Sequence, residues 1–157
     1  MSILIYAESA EGKIKKVAFE LASYAKKVAS SMGTTVTAVT INNADNSALA
    51  TYGVDKVVTV SNDKLNNFSA KAYADVIAQV AKKEGAQIVL VSSSTDSLYV
   101  APLVAVALEA GYASNVVALP ESTSPFQVKR TAFSNKAFNL TEINTPVKVL
   151  GIAKNSF

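Results

Sequence analysis

Three carboxylates stand near segments that read as strand ends. Glu8 and Glu11 lie in Ala7-Glu-Ser-Ala-Glu-Gly-Lys13, and Asp96 closes Ser92-Ser-Ser-Thr-Asp96. Carboxylates brought together at strand C-termini can do acid–base work or hold magnesium. The hydroxyls of the second stretch, backed by a helix N-terminus, can hold an anion. Ser, Thr and Asp also cap helices. The sequence leaves capping and ligand binding both open, with capping the commoner use of these residue types. Glu8, Ser94, Thr95 and Asp96 are therefore candidate crevice residues. Clustered acids would repel a phosphate unless a cation sat between them.

Missing residue types narrow the chemistry. Histidine and cysteine are both absent, which removes the commonest general base, the commonest transition-metal ligand and any thiolate site. Phosphate loops on open sheets use glycines so that backbone can approach oxygen closely. Gly12 is the sole glycine after the first strand, and Ser92–Ser97 contains none. Neither Gly-x-Gly-x-x-Gly nor a Walker loop exists. No catalytic residue and no metal site is assigned.

The elements that position these residues alternate along the chain. Ser2–Ala7 is a short apolar run without alternation, as in a buried parallel strand. Lys13–Ser31 carries Ile14, Val17, Leu21, Tyr24 and Val28 at helical spacing, and Gly33 suits its stop. Thr34–Ile41 and Lys56–Val60 read as strands, with a helical turn over Ala48–Tyr52 between them. Ser69–Glu84 reads as a helix ended by Gly85, and Gln87–Val91 as a strand. A helix capped by Asp96 or Ser97 then runs to Ala110 and stops at Gly111, before a strand over Ser114–Leu119. This predicts an α/β fold with a mainly parallel, five-strand doubly wound sheet. Phe126–Phe133 and Lys136–Glu142 flank a turn at Ser134-Asn135, and Val147–Ile152 follows Pro146. They predict an added C-terminal antiparallel hairpin and strand.

Composition sets the outer bounds. Of 157 residues, 50% are hydrophobic and 17% charged, enough apolar material for one core, so a single domain over 1–157 is expected. The net charge of +3 is mild. Its lysines, Lys15, Lys16, Lys26 and Lys27 among them, are spread as on solvated helix faces. No nucleic-acid partner is expected. The N-terminus lacks the basic region of a signal peptide, and Leu98–Leu108 is too short to span a bilayer. The chain reads as soluble and cytoplasmic, without membrane insertion. Leu98–Leu108 is nonetheless apolar nearly all round, where a surface helix shows a polar face. Either it is buried within the domain or a second protein surface covers its outer side.

Four motifs in order carry a family resemblance. They are Ile3-Leu-Ile-Tyr-Ala-Glu8 with Gly12-Lys13, Tyr52-Gly-Val-Asp-Lys-Val57, Ala101-Pro-Leu-Val-Ala-Val-Ala-Leu108 with Ser114-Asn-Val116, and Val128-Lys-Arg-Thr131 with Ala137. Over essentially its whole length the chain resembles the N-terminal domain of the electron transfer flavoprotein alpha subunit. It departs from the pattern at Ser97-Leu98-Tyr99, Leu103, Asn135-Lys136 and Ala153, several of which replace charged or glycine positions of the family. The resemblance implies a nucleotide-binding-like shell and a non-catalytic scaffold. FAD is expected in the complete heterodimer, held mainly by a C-terminal domain outside this sequence, with no cofactor in this chain alone. The implied partners are that domain, the beta subunit and, through the complex, dehydrogenases that pass electrons to a respiratory acceptor. Leu98, Leu103, Val106 and Arg130 are the candidate interface residues. A stand-alone nucleotide-binding domain of the universal-stress-protein type is the competing reading. A small enzyme using Glu8 and Asp96 is a remote third.

Overall fold

In a computed structural model that describes residues 2–156, a nine-stranded sheet carries helices on both faces. Met1 and Phe157 lie outside the described residues. The elements run β1 (Ser2–Tyr6), β2 (Ser9–Ala10), β3 (Lys13–Ile14), α1 (Lys16–Met32), β4 (Thr35–Ile41), α2 (Ala48–Thr51) and β5 (Lys56–Val60). A single 3-10 turn at Asp63–Leu65 leads to α3 (Ala70–Lys83), β6 (Ala86–Ser92), α4 (Thr95–Ala107) and β7 (Gly111–Val116). The C-terminal part adds β8 (Ser122–Thr123), β9 (Phe126–Ala132), β10 (Ala137–Glu142) and β11 (Lys148–Ile152).

Spatial order across the main sheet is β10-β9-β7-β11-β6-β1-β4-β5, with β8 paired to β9. The strands from β7 to β5 in that order are mutually parallel, whereas β8, β9 and β10 pair antiparallel. The chain winds outward from β1 to β4 and β5, then returns to place β6 on the other side of β1. The direction of winding therefore reverses between β1 and β6, and in open α/β sheets the crevice at the strand C-termini beside that reversal is where ligands bind.

The expected α/β architecture, mainly parallel with antiparallel strands added at the C-terminal end, is the one observed. The last strand departs from its expected place. β11 inserts between β7 and β6, parallel to both. Its Val149, Leu150 and Ile152 are all buried. A strand apolar on both sides is one that needs cover on both faces, which the interior of a parallel sheet supplies and an edge does not. The parallel set thus has six strands rather than five.

Helix boundaries moved for local reasons. α1 starts at Lys16 rather than Lys13, because Lys13–Ile14 pairs back on Ser9–Ala10 as a ribbon. Glu11 and Gly12 turn that ribbon with φ of 52° and 76°, the positive pair that suits a two-residue hairpin. α4 ends at Ala107, before the expected Gly111. Glu109 takes the left-handed position at φ 52°, and the Ala110 N–H returns to the Ala105 carbonyl at 2.8 Å. That is a Schellman closure with a glutamate where glycine is usual. Gly111 has another use: a Cβ there would stand 2.7 Å from Cγ2 of Ile143.

Two cores separate on the two sides of the sheet. One gathers Ile3, Ile5, Leu21, Tyr24, Val28 and Leu150 under α1, with Phe126, Val128 and Ile143 from the C-terminal strands. The other gathers Leu4, Val39, Val89 and Val149 under α3 and α4. The alternation along β1 sends Ile3 and Ile5 one way and Leu4 and Tyr6 the other.

The interior position of β11 has a measurable consequence. Leu150→Ala, at a side chain 1% exposed, is expected to lower unfolding free energy by about 2–5 kcal/mol. Leu140→Ala on the edge strand β10 is expected to change it by no more than about 0.5 kcal/mol. Chemical denaturation of both variants checks the contrast, and a mild Leu150→Ala would place β11 at an edge.

Candidate functional site

Glu8 is the second residue after β1, at the winding reversal. It is buried, and its carboxylate points at the loop between β6 and α4. Three hydroxyls donate to it. Ser97 Oγ lies 2.6 Å from Oε1, Ser94 Oγ lies 2.9 and 3.0 Å from the two oxygens, and Ser92 Oγ also donates to Oε1. Lys15 Nζ sits 3.2 Å from Oε2, brought there by the β2–β3 ribbon, whose far end returns the Lys15 N–H to the Glu8 carbonyl at 2.9 Å.

The start of α4 is built around the same group. Ser94 is the N-cap, with its Oγ accepting from the Ser97 N–H at 3.1 Å while donating to Glu8. Neither Asp96 nor Ser97 caps the helix, contrary to expectation. Ser94 has the extended backbone that an N-cap requires, and Thr95 and Asp96 already lie inside the helix. Both are exposed and contribute no bond to the cradle. Glu11 is exposed at the tip of the ribbon. Among the described residues no group of three acids, histidines or cysteines is placed to hold a metal.

Burial alone would push the Glu8 carboxyl upward. The hydroxyls of Ser92, Ser97 and Ser94, helped by the Lys15 ammonium, outweigh that and hold it below the ordinary value for a glutamate. The neighbouring Tyr6 phenol is pushed up, by burial first and then by the charges of Glu8, Tyr73 and Asp96.

The arrangement is an anion cradle at a helix N-terminus whose anion is part of the chain. A phosphate at this place would compete with Glu8 for the same hydroxyls. Space is short as well: the depression beside the cradle, between Val17, Ser93, Ser94 and Lys154, holds only ≈ 160 Å³, below the roughly 300 Å³ at which small-molecule sites begin. A larger concavity of ≈ 470 Å³ lies elsewhere, on the β9–β10 hairpin beside Lys129, Phe138 and Leu140.

The expected contact residues fall in two settings. Leu98, Leu103 and Val106 are 48%, 42% and 77% exposed on the outer side of α4, joined by Tyr99 at 65%. The helix buries Ser97, Val100, Ala101, Val104 and Ala105 instead. The hairpin does not fold over this face. Arg130 is half-buried, and its guanidinium donates to Ser114, 2.7 Å to the carbonyl and 3.1 Å to Oγ, fastening β9 to β7. Sequence reasoning missed Lys15 as the partner of Glu8. The Glu11-Gly12 turn was the signal that could have found it.

Fold and site together define a class: a nucleotide-binding-like α/β domain whose strand-end cradle is filled from within. The electron transfer flavoprotein domain family matches residues 3–157, and the chain belongs to that family. Its similarity is to the N-terminal domain of alpha subunits. The electron transfer flavoprotein subunit alpha of Thermoanaerobacterium thermosaccharolyticum is 32% identical over 120 residues, covering 74% of this chain and 36% of that protein. The subunit of the same name from Bacillus subtilis is 25% identical over 156 residues, covering 98% and 48%. The lactate dehydrogenase (NAD(+),ferredoxin) subunit LctC of Acetobacterium woodii is 28% identical over 148 residues, covering 91% and 35%. The chain thus spans between about a third and a half of the length of these relatives. No helix among the described residues is long and apolar enough to cross a membrane.

Removing the charge at Glu8 tests the cradle. Glu8→Gln is expected to cost about 1–3 kcal/mol, since a charge-assisted acceptor of several buried hydroxyls is lost. Lys15→Met, at a side chain 40% exposed, is expected to cost no more than about 1 kcal/mol. The pH dependence has a definite sign. A carboxyl whose folded pKa is depressed stabilises above its unfolded value, near the ordinary 4.5, and loses that stabilisation as pH falls through the lower folded value. Unfolding midpoints of wild type and Glu8→Gln should therefore differ fully at neutral pH and converge in acid. A gap that stays constant to low pH would contradict it.

Proposed function

We propose that this chain is a non-catalytic scaffold and partner-binding domain of an electron transfer flavoprotein. In this reading it supports FAD-mediated electron transfer from dehydrogenases to a respiratory acceptor. The observation that carries the reading is the self-filled cradle. A domain that kept this fold in order to bind a nucleotide would leave the α4 N-terminus open, and here Glu8 occupies it. What remains useful is the surface.

The flavin is then held mainly by residues outside these 157, which fits relatives about twice as long. The beta subunit is the immediate partner, with the C-terminal FAD domain and, through the complex, dehydrogenases. The Acetobacterium relative is itself named as a lactate dehydrogenase subunit, which favours a dehydrogenase as the electron donor here. The outer face of α4, through Leu98, Leu103 and Val106, is the contact surface we assign. Arg130 acts from beneath, by holding β9 on β7.

The purified chain is expected to be colourless after incubation with FAD and to give no low-micromolar constant for AMP or ATP by calorimetry. It is expected to co-elute with a co-expressed beta-type subunit. A stoichiometric flavin spectrum, or low-micromolar nucleotide binding abolished by Ser94→Trp, would make a nucleotide-binding domain of the universal-stress-protein type the better description.

A further inference from the structure

We infer that the free edge of β10 pairs with the same edge of a second copy of this chain, antiparallel and about a two-fold axis through Asn139. The inference goes beyond the functional reading above and uses a different surface.

β10 ends the sheet and pairs only with β9. Edge strands are usually blunted by an internal charge, a proline or a bulge. Ala137-Phe-Asn-Leu-Thr141 contains neither charge nor proline, and its register with β9 is unbroken. Phe138 and Leu140, two residues apart, share one face, and both are exposed. β5, at the opposite end of the sheet, differs: its Val57, Val58 and Val60 pack against the two cores.

Hydrogen-bond parity fixes which residues the edge offers. The Ile143 N–H donates to the Phe126 carbonyl at 3.0 Å. Carried along the β9–β10 register, the same alternation gives Thr141, Asn139 and Ala137 the backbone bonds to β9. The far side of β9 agrees, because the Gln127 and Lys129 carbonyls turn away from β10 to accept from the N–H groups of Glu121 and Val117. Phe138 and Leu140 therefore aim their N–H and C=O groups at the open edge. Bonded pairs across a two-fold axis must join these even-numbered residues to each other.

Registers centred on Phe138, Asn139 or Leu140 all obey that parity, and side chains choose among them. Centred on Phe138, Lys136 would face Leu140 of the copy. Centred on Leu140, Glu142 would face Phe138. Centred on Asn139, Phe138 faces Leu140 and Lys136, the residue before β10, faces Glu142, each pairing occurring twice by symmetry. Apolar and opposite-charge pairs directly across antiparallel strands stabilise the pairing. Both charged residues are exposed, and Lys136 forms no ion pair among the described residues. Glu142 is held on the same face as Leu140 by Gln127, whose Nε2 donates to it at 3.3 Å. The edge is thus complementary to itself in backbone, apolar contact and charge at one register.

The chain contains no cysteine, so a single introduced thiol reports that register. Across the two-fold axis Asn139 forms a non-hydrogen-bonded pair with its copy, with Cα atoms about 4.5 Å apart, within disulfide reach. Thr141 faces Ala137 and lies about 14 Å along the strand from its own copy. The contact is small, so association is expected between about 10 μM and 1 mM. Under mild oxidation in that range, Asn139→Cys is expected to form disulfide dimers at least about tenfold faster than Thr141→Cys. By sedimentation velocity, Lys136→Glu is expected to weaken the wild-type dimer at least about fivefold, and Lys136→Glu/Glu142→Lys to restore it to within about threefold. Equal crosslinking at the two positions, a wild-type chain still monomeric at about 1 mM, or a charge swap that fails to restore pairing overturns the inference. A monomeric wild type that loses a beta-type subunit in Phe138→Asp gives the edge to that subunit and also overturns it, while leaving the functional reading in place. A chain that dimerises in the stated register but pairs with no beta-type subunit keeps this inference and removes the functional reading.

Discussion

A buried carboxylate needs donors, and Glu8 finds its own within the fold. Three serine hydroxyls from two later elements converge on it, with one lysine from the ribbon that follows it. Desolvating a charge without partners would be prohibitive, so the placement of β1, β6, α4 and the β2–β3 ribbon must all be right before Glu8 can be buried at all. The interaction ties the first strand to an element almost ninety residues further along. It also settles the electrostatics of the winding reversal. Positive potential from the α4 N-terminus and Lys15 is met from within the chain by the Glu8 carboxylate.

Part of this was legible in the sequence. Apolar residues at helical spacing marked the first helices, and short apolar runs marked most of the parallel strands, because a helix buries one stripe and a central strand both faces. Glu8 and Ser94 were also legible as residues of one crevice. Their roles toward each other were not. That β6 lies directly beside β1 is a matter of crossover order, which local pattern does not encode, so Glu8 read as an acid facing a ligand when it is the anion itself. β11 was misplaced for the same reason, since a short apolar run says that both faces are covered and not by which strands. The end of α4 failed differently. Gly111 drew the boundary because glycine suits a left-handed stop, yet Glu109 adopts that conformation and leaves Gly111 for close contact with Ile143.

The two faces of α4 divide the molecule's roles. Its inner side, with Val100, Ala101 and Val104, closes the core over β6 and β11. Its outer side leaves Leu98, Leu103 and Val106 to solvent, and each such residue forgoes about 1.5–3 kcal/mol of burial. A helix this apolar, begun by a serine that also serves the cradle, couples the two features. The same Ser94 that locks Glu8 sets where α4 starts, and so which residues face outward. The buried carboxylate and the exposed apolar stripe thus meet at one helix, with Glu8 bound at its N-terminus and Leu98, Leu103 and Val106 on its outer side.

The most direct measurement is the pKa of the Glu8 carboxyl itself, followed by the carbon-13 shift of its Cδ through an acid titration, with and without millimolar AMP. The account predicts a value below the ordinary 4.5 that the nucleotide leaves unchanged, because the hydroxyls that lower it are already engaged. A value at or above the ordinary one, or one that moves when AMP is added, would mean that the cradle is open to ligand, and would contradict the account at its centre.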